Sequence, residues 1–325
     1  MRVLSVFAFA LGSQLAAWGA PTSTAAQQVD WAGLKPKLEA RIVQHKGVVG
    51  LAVIDLSSGE TLSIRGDERF PTASNIKMAV LVELFTQVER GRIKLSDPVV
   101  MLDVDRVGGS GILQHFDAPL EITVKDAATF MVNQSDNTAT NLIVDKLGIR
   151  AINERMDSLG YPGTKLWAKV SRSRQTSIDP DSSRVWGLGV TTPMENARMF
   201  ASIYKGEAVS QEASRQMIAM ARTQAWGYNE IPRYLPPGVV VAHKTGSVSA
   251  TRNDCGIVYA NRPRGSNIFD PPNPGMRDYV ICVYTNENED RSWVPVDNAA
   301  EVLISDLSKI VWDALEPATV PAPAR

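Results

Sequence analysis

Apolar runs suited to β-strands lie towards both ends of this 325-residue chain, and the long stretch between them carries only helical spacing. Near the start, 48–56 is a compact apolar strand, 57–60 a turn, and 61–64 alternates as a hairpin partner. In the last third, 239–243, 255–260 and 279–285 are further strand candidates. Helical spacing marks 31–44 (Leu34, Leu38, Ile42, then a stop at Gly47), 75–90, 123–131, 138–147 and 195–204. Thr191-Thr192-Pro193 opens the last of these, with proline in its first turn. The middle, 75–204, offers no convincing strand. Within it, 165–189 is polar and irregular and is expected to form a long surface loop. An amphipathic helix over 298–315 closes the pattern, 261–277 is a Pro/Gly-rich loop, and 317–325 a disordered tail. A sheet built from both chain ends, with a helical region inserted between them, satisfies this order. The expected class is α+β. The expected division is a discontinuous sheet lobe (27–72 and 205–316) and a helical lobe (73–204).

Composition narrows the partners. At 44% hydrophobic, 21% charged and a net charge of −1, the chain is ordinary globular protein, enough for one large domain or two intimate ones. Near-neutral charge and the lack of a basic run argue against nucleic acid. The first 26 residues resemble an export signal: Arg2, an apolar stretch over 3–17, and small residues at two cleavage positions, Ala17-Trp18-Gly19 and Ser23-Thr24-Ala25. The apolar stretch falls short of the about 20 residues that span a bilayer, and no later segment offers a stable membrane span. The mature chain is therefore expected to be periplasmic or secreted. Cys255 and Cys282 lie in strand-like runs; they can pair if those strands are neighbours in register, or remain packed thiols. His45, His115 and His243 lack metal-ligand spacing.

Three short motifs carry chemistry: Ser74-Asn75-Ile76-Lys77, Ser135-Asp136-Asn137 and Lys244-Thr245-Gly246. Ser74 and Lys77 are three residues apart at a helix start, so their side chains share a face. A serine hydroxyl is a weak nucleophile until a base takes its proton, and a neutral lysine can do so. Taken singly, the first motif also fits an N-cap serine with a surface lysine, and the second an ordinary capping turn. A further S-x-x-K, Ser202 to Lys205, falls late in a predicted helix, where free amide donors are lacking.

All three motifs in this order resemble the class A β-lactamases and penicillin-binding proteins. The resemblance implies an antiparallel sheet flanked by helices, with an inserted all-helical lobe. It implies Ser74 as nucleophile, Lys77 as base, and Ser135 as proton relay to the leaving nitrogen. Asp136 would hold its turn. Asn137 would bind the substrate's side-chain amide, and Lys244 and Thr245 its carboxylate. Gly246 would leave room for substrate to approach the backbone. The amides of Ser74 and Ser247 would form the oxyanion hole. Arg252 fits a place where relatives keep an arginine for the carboxylate, and fits equally a strand arginine facing solvent. Class A enzymes also carry Glu-x-x-Leu-Asn in the loop before the third motif, whose glutamate activates the water that clears the acyl-enzyme. Residues 171–181 contain no glutamate; Asp179 and Asp181 are the substitutes on offer, or simple turn residues next to Pro180. The implied activity is β-lactam ring opening through a Ser74 acyl-enzyme, with no cofactor. The alternatives are a D,D-peptidase acting on peptidoglycan stem peptides with slow deacylation, or a sensor that stays acylated. A monomer is expected from the family's habit.

Overall fold

A computed structural model describes residues 29–225, 227–259, 267–268, 277–293 and 297–315. The expected export signal, most of the Pro/Gly-rich loop and the C-terminal tail lie outside them. Five strands form one antiparallel sheet: β1 (Val48–Asp55), β2 (Thr61–Ile64), β3 (Val241–Val248), β4 (Thr251–Val258) and β5 (Tyr279–Asn286), in the spatial order β2-β1-β5-β4-β3. The N-terminal hairpin thus pairs with the last strand: Val48 faces Asn286 and Asp55 faces Tyr279.

Side chains of a strand alternate between faces, and here both faces are covered. Leu51, Val53, Ile281 and Val283 point to one side, where they pack with Leu34 and Leu38 of helix α1 (Trp31–Ile42) and with Leu303, Leu307 and Val311 of the C-terminal helix Ala299–Leu315. Ala52, Ile54, Val280, Cys282 and Tyr284 point to the other, against Ala197 and Phe200 of helix Pro193–Lys205. Burial on two sides explains why β1 and β5 read as unbroken apolar runs rather than alternating ones. Cys255 and Cys282 are directly opposite each other in the β4–β5 ladder and form a disulfide.

The second core continues into the central helix α2 (Lys77–Glu89), which is buried from Lys77 to Thr86. A helix apolar all round must be enclosed. Around it stand α3 (Val124–Asn133), α4 (Asn137–Leu147) and α5 (Ile149–Ser158), together with helix Gln211–Arg222. Local chemistry sets their ends. Thr123 and Asp126 make a capping box for α3, Asp136 caps α4, and Thr192 caps the helix that opens with Pro193.

The structure differs from the expectations in several places. The 165–189 segment is no structureless loop: it holds a one-turn helix at Ser173–Thr176 and a two-turn helix at Pro180–Trp186, capped by the Asp179 side chain. Strands do occur in the middle of the chain, but they are short: Pro98–Met101 with Leu120–Thr123, and Lys165–Leu166 with Gly189–Thr191. The Lys244 motif does not end its strand. β3 runs on to Val248 because β4 begins at Thr251, four residues before the apolar run starts. Among the described residues, no helix is long and apolar enough to cross a membrane.

Candidate active site

Ser74 sits in a 3₁₀ turn, Ala73–Ile76, that leads straight into α2. Ala73 immediately before it has φ 45°, a left-handed conformation that costs a non-glycine residue energy and persists only when the surroundings enforce it. Asparagines supply that enforcement. Asn75, fully buried, donates through Nδ2 to the Lys244 carbonyl, and its Oδ1 accepts from Asn196 Nδ2 at 2.6 Å and Tyr284 Oη at 2.9 Å. Asn253 Nδ2 donates to the Pro71 carbonyl at 2.8 Å. The turn is thereby bolted to β3, β4 and β5, and Ser74 is left partly exposed on a cavity of about 950 Å³.

Gly246 is required by the packing of its own strand against the Ser74 turn. A Cβ there would lie 2.4 Å from the Thr72 carbonyl oxygen and 3.2 Å from the Ser74 amide nitrogen. The glycine admits the backbone of the turn that carries Ser74.

Lys77 is wholly enclosed. Its Nζ donates to the Ser135 carbonyl at 2.6 Å, Ser135 Oγ at 3.1 Å and Asn137 Oδ1 at 3.0 Å. Burial, and secondarily the positive charge of Lys244, hold its pKa well below the usual lysine range, against the pull of Asp136. A buried ammonium loses hydration, so the neutral amine gains ground.

Ser135 also has a left-handed backbone, φ 51°. Asp136 fixes it there, accepting from the amides of Ile112 (2.7 Å), Leu113 (2.8 Å) and Ala139 (2.9 Å). Asn137 Nδ2 donates to the Gly108 carbonyl at 3.0 Å, and both Ser135 and Asn137 line the cavity.

On the opposite wall, Thr245 and Ser247 of β3 line the cavity, whereas Lys244 is fully buried behind them, its Nζ donating to the Thr245 carbonyl at 3.0 Å. Burial lowers its pKa to about 8, despite the nearby Asp254 and Glu230 carboxyls. His243 is a buried partner of Asp254, with Nδ1 2.8 Å from Oδ2. Arg252 lines the cavity but is no solvent-facing strand arginine. Its guanidinium donates to the carbonyls of Ser249 (3.1 Å), Thr251 (2.8 Å) and Ser292 (2.7 Å), lies 3.5 Å from Glu301 Oε1, and stacks 4.6 Å from the Trp293 ring.

The third wall comes from Lys169, Val170 and Ser171 and from Trp186 to Leu188. Asn141 grips the Val170 backbone twice: its Oδ1 accepts from Val170 N at 2.9 Å, and its Nδ2 donates to Val170 O at 3.1 Å. No carboxylate stands on this wall among the described residues. Asp179 is occupied as a helix cap, accepting from Ser182 N at 2.9 Å and Ser182 Oγ at 2.8 Å; those bonds lower its pKa. Asp181 is exposed and pairs with Arg184 at 3.0 Å. The described acids that do line the cavity are Glu230 and Glu301, on the Thr245–Arg252 side. Ser202, the second S-x-x-K serine, points away and donates to the Met199 carbonyl at 2.8 Å.

Sequence reasoning did not find Asn75, Asn141, Asn196, Asn253, Tyr284 or Glu230. The available signal was the placement of single polar residues within otherwise apolar helices and strands.

Comparison with known proteins agrees with this geometry. Residues 33–315 match the family described as the β-lactamase enzyme family. The extended-spectrum β-lactamase PER-1 of Pseudomonas aeruginosa is 26% identical over 277 residues, 80% of this chain and 81% of that protein. A β-lactamase from Sphaerobacter thermophilus superposes with a TM-score of 0.72 at 29% identity, covering 89% of this chain and 98% of that one. The PBP-A structure gives 0.72 at 26% identity, covering 87% and 95%. A mutant of PBP-A, at the same identity, is an acyl-enzyme complex with penicillin G. Matched across most of its length, the chain belongs to the β-lactamase enzyme family and is a serine β-lactamase-like hydrolase.

Proposed function

We propose that the chain opens the β-lactam ring through an ester on Ser74. The observation that carries this is a cavity-lining serine in a strained turn, one helical step from an enclosed, pKa-depressed lysine that is hydrogen-bonded to the serine of the second motif. In this reading Ser74 Oγ adds to the lactam carbonyl carbon and gives its proton to neutral Lys77. Negative charge on the carbonyl oxygen is met by the amides of Ser74 and Ser247. The C–N bond then breaks, and the proton passes from Lys77 through Ser135 to the departing nitrogen. Asn137 binds the acyl side chain. Thr245 holds the carboxylate, the buried Lys244 behind it supplies positive charge, and Arg252 supports that end of the cavity through its stacked, internally bonded guanidinium. Water finally hydrolyses the ester, returning Ser74.

A second reading concerns that last step. The loop wall formed by 169–171 and 186–188 carries no carboxylate among the described residues, which favours slow release of the acyl group. Slow release suits a D,D-peptidase-like enzyme working on peptidoglycan stem peptides, or a β-lactam sensor that stays acylated. Export to the periplasm or medium is part of the proposal, supported by Arg2 and the apolar stretch over 3–17, as is a monomeric state.

Stopped-flow mixing with a chromogenic cephalosporin separates the readings. Steady turnover, with or without an initial burst, supports the hydrolase. A burst of one equivalent followed by nothing supports the slow-release reading, and no ring opening at all contradicts both.

A further inference from the structure

The Thr245–Arg252 end of the cavity holds a carboxyl group that the chemistry above does not use. Glu230 is only 3% exposed and lines the cavity, and its Oε2 has no hydrogen-bond partner. An enclosed oxygen of this kind is costly unless something pairs with it. Its neighbours come from three elements: His243 and Lys244 on β3, Arg252 and Asp254 on β4, and Glu301 on the C-terminal helix. Most are already engaged. Asp254 is bonded to His243 and to the Ile231 amide, Arg252 lies beside Glu301, and Lys244 donates to Thr245 O.

Backbone geometry brings Glu230 to the part of the site where a substrate carboxylate is expected. Gly227 has φ +102°, and a Cβ on it would lie 2.5 Å from Thr245 Cγ2, 2.8 Å from Glu230 Oε2 and 2.8 Å from His243 Cε1. Glu230 Oε2 and the Thr245 side chain therefore abut the same glycine. Only a residue without a side chain lets them converge.

We propose that Glu230 is a specificity-determining residue whose carboxyl group donates a hydrogen bond to the carboxylate of the bound substrate, beside Thr245. The proposal rests on the lactam-opening reading of the same site. Burial first, and then the charges of Asp254 and Glu301, push the Glu230 carboxyl well above the ordinary carboxylate range, against Lys244 and Arg252. It is thus held as a neutral acid, and a neutral acid donates where a carboxylate would repel. With Glu230 neutral, the Lys244 and Arg252 charges are balanced by Asp254 and Glu301, and the substrate's carboxylate meets donors instead of a net negative wall. Raising the pH converts Glu230 from donor to repeller.

The test compares benzylpenicillin with its methyl ester between pH 6 and 10, reading KM and kcat for acylation separately. In the wild type, KM for the acid is expected to rise with pH in two steps, one from Glu230 and one near pH 8 from Lys244. The ester should show neither. Glu230→Gln keeps a donor that cannot ionise, so it should retain the low KM near neutrality and lose one step. Glu230→Ala has no donor and should raise KM for the acid about tenfold near neutrality, the usual worth of a hydrogen bond to a charged group, with much less effect on the ester. Thermal melts confirm that both variants fold. The proposal is overturned if Glu230→Gln leaves the two-step profile intact. It is equally overturned if that variant lowers KM for the acid at every pH, which would mean the group is ionised throughout, or if Glu230→Ala affects acid and ester alike. Failure of Ser74 to acylate at all would instead remove the underlying reading.

Discussion

The Lys77 side-chain nitrogen lies 2.6 Å from the Ser135 carbonyl oxygen and 3.1 Å from the Ser135 hydroxyl, joining two motifs that are 58 residues apart. This bridge gives a proton a short route from one side of the site to the other. It also ties the orientation of α2 to the left-handed turn at Ser135, so a change at either end is felt at both.

Lys77→Ala is expected to slow acylation by about 10²–10⁴, the range for losing a positioned base. The pH dependence has a definite sign. Protonated Lys77 cannot accept a proton, so acylation falls as pH drops through its lowered pKa and levels off above it. Single-turnover acylation from pH 4 to 9 measures this. A rate that climbs only near the usual lysine range would remove Lys77 as the base.

Lys244 predicts a change in affinity rather than in chemistry. Its charge is present below about pH 8 and is lost above it. KM for carboxylate-bearing substrates should therefore rise as pH passes that value, while acylation at saturation changes little. Steady-state or burst kinetics in mixed buffers at constant ionic strength provide the check; a KM flat to pH 9.5 disagrees.

Gly246→Ala is expected to cost about 1–3 kcal/mol, as overpacking does in a closely fitted interior. Its Cβ meets backbone rather than a yielding side chain. Loss of acylation should exceed loss of stability, because the atoms displaced belong to the Ser74 turn. Thermal melts alongside acylation rates distinguish this from general destabilisation.

The strands with unbroken apolar runs, β1 and β5, are legible in the sequence because burial on both faces writes itself as composition. The extended reach of β3 and β4 is not. Asn253 and Lys244 are buried against the turn that precedes α2, where they meet Pro71 and Asn75 from 182 and 169 positions away, and Arg252 and Asp254 are buried against Ser292, Glu301 and Ile231. The Pro98–Met101 and Leu120–Thr123 pair escaped notice because four-residue strands with half-exposed faces carry little periodic signal. At the site, the three motifs are legible because each sets a hydroxyl or amide close to a charge. Asn75, Asn141 and Glu230 act through where they are buried, and burial of one polar side chain is set by tertiary structure.

Val170→Glu tests the bare loop wall. Val170 lines the cavity and its backbone is held by Asn141, so a carboxylate there would be presented on a fixed support. Acyl release is expected to accelerate by about 10² or more, typical of a placed general base. Asp179→Asn and Asp181→Asn should leave release unaltered, since both side chains are engaged elsewhere. Pulse-chase mass spectrometry of the acyl-enzyme reads the rate.

The most direct measurement is the intact mass of the purified protein after brief exposure to benzylpenicillin, with the modified peptide sequenced. The account predicts one added penicilloyl group on Ser74 and none in Ser74→Ala. An adduct that persists in Ser74→Ala, or that maps to any other residue, would contradict it.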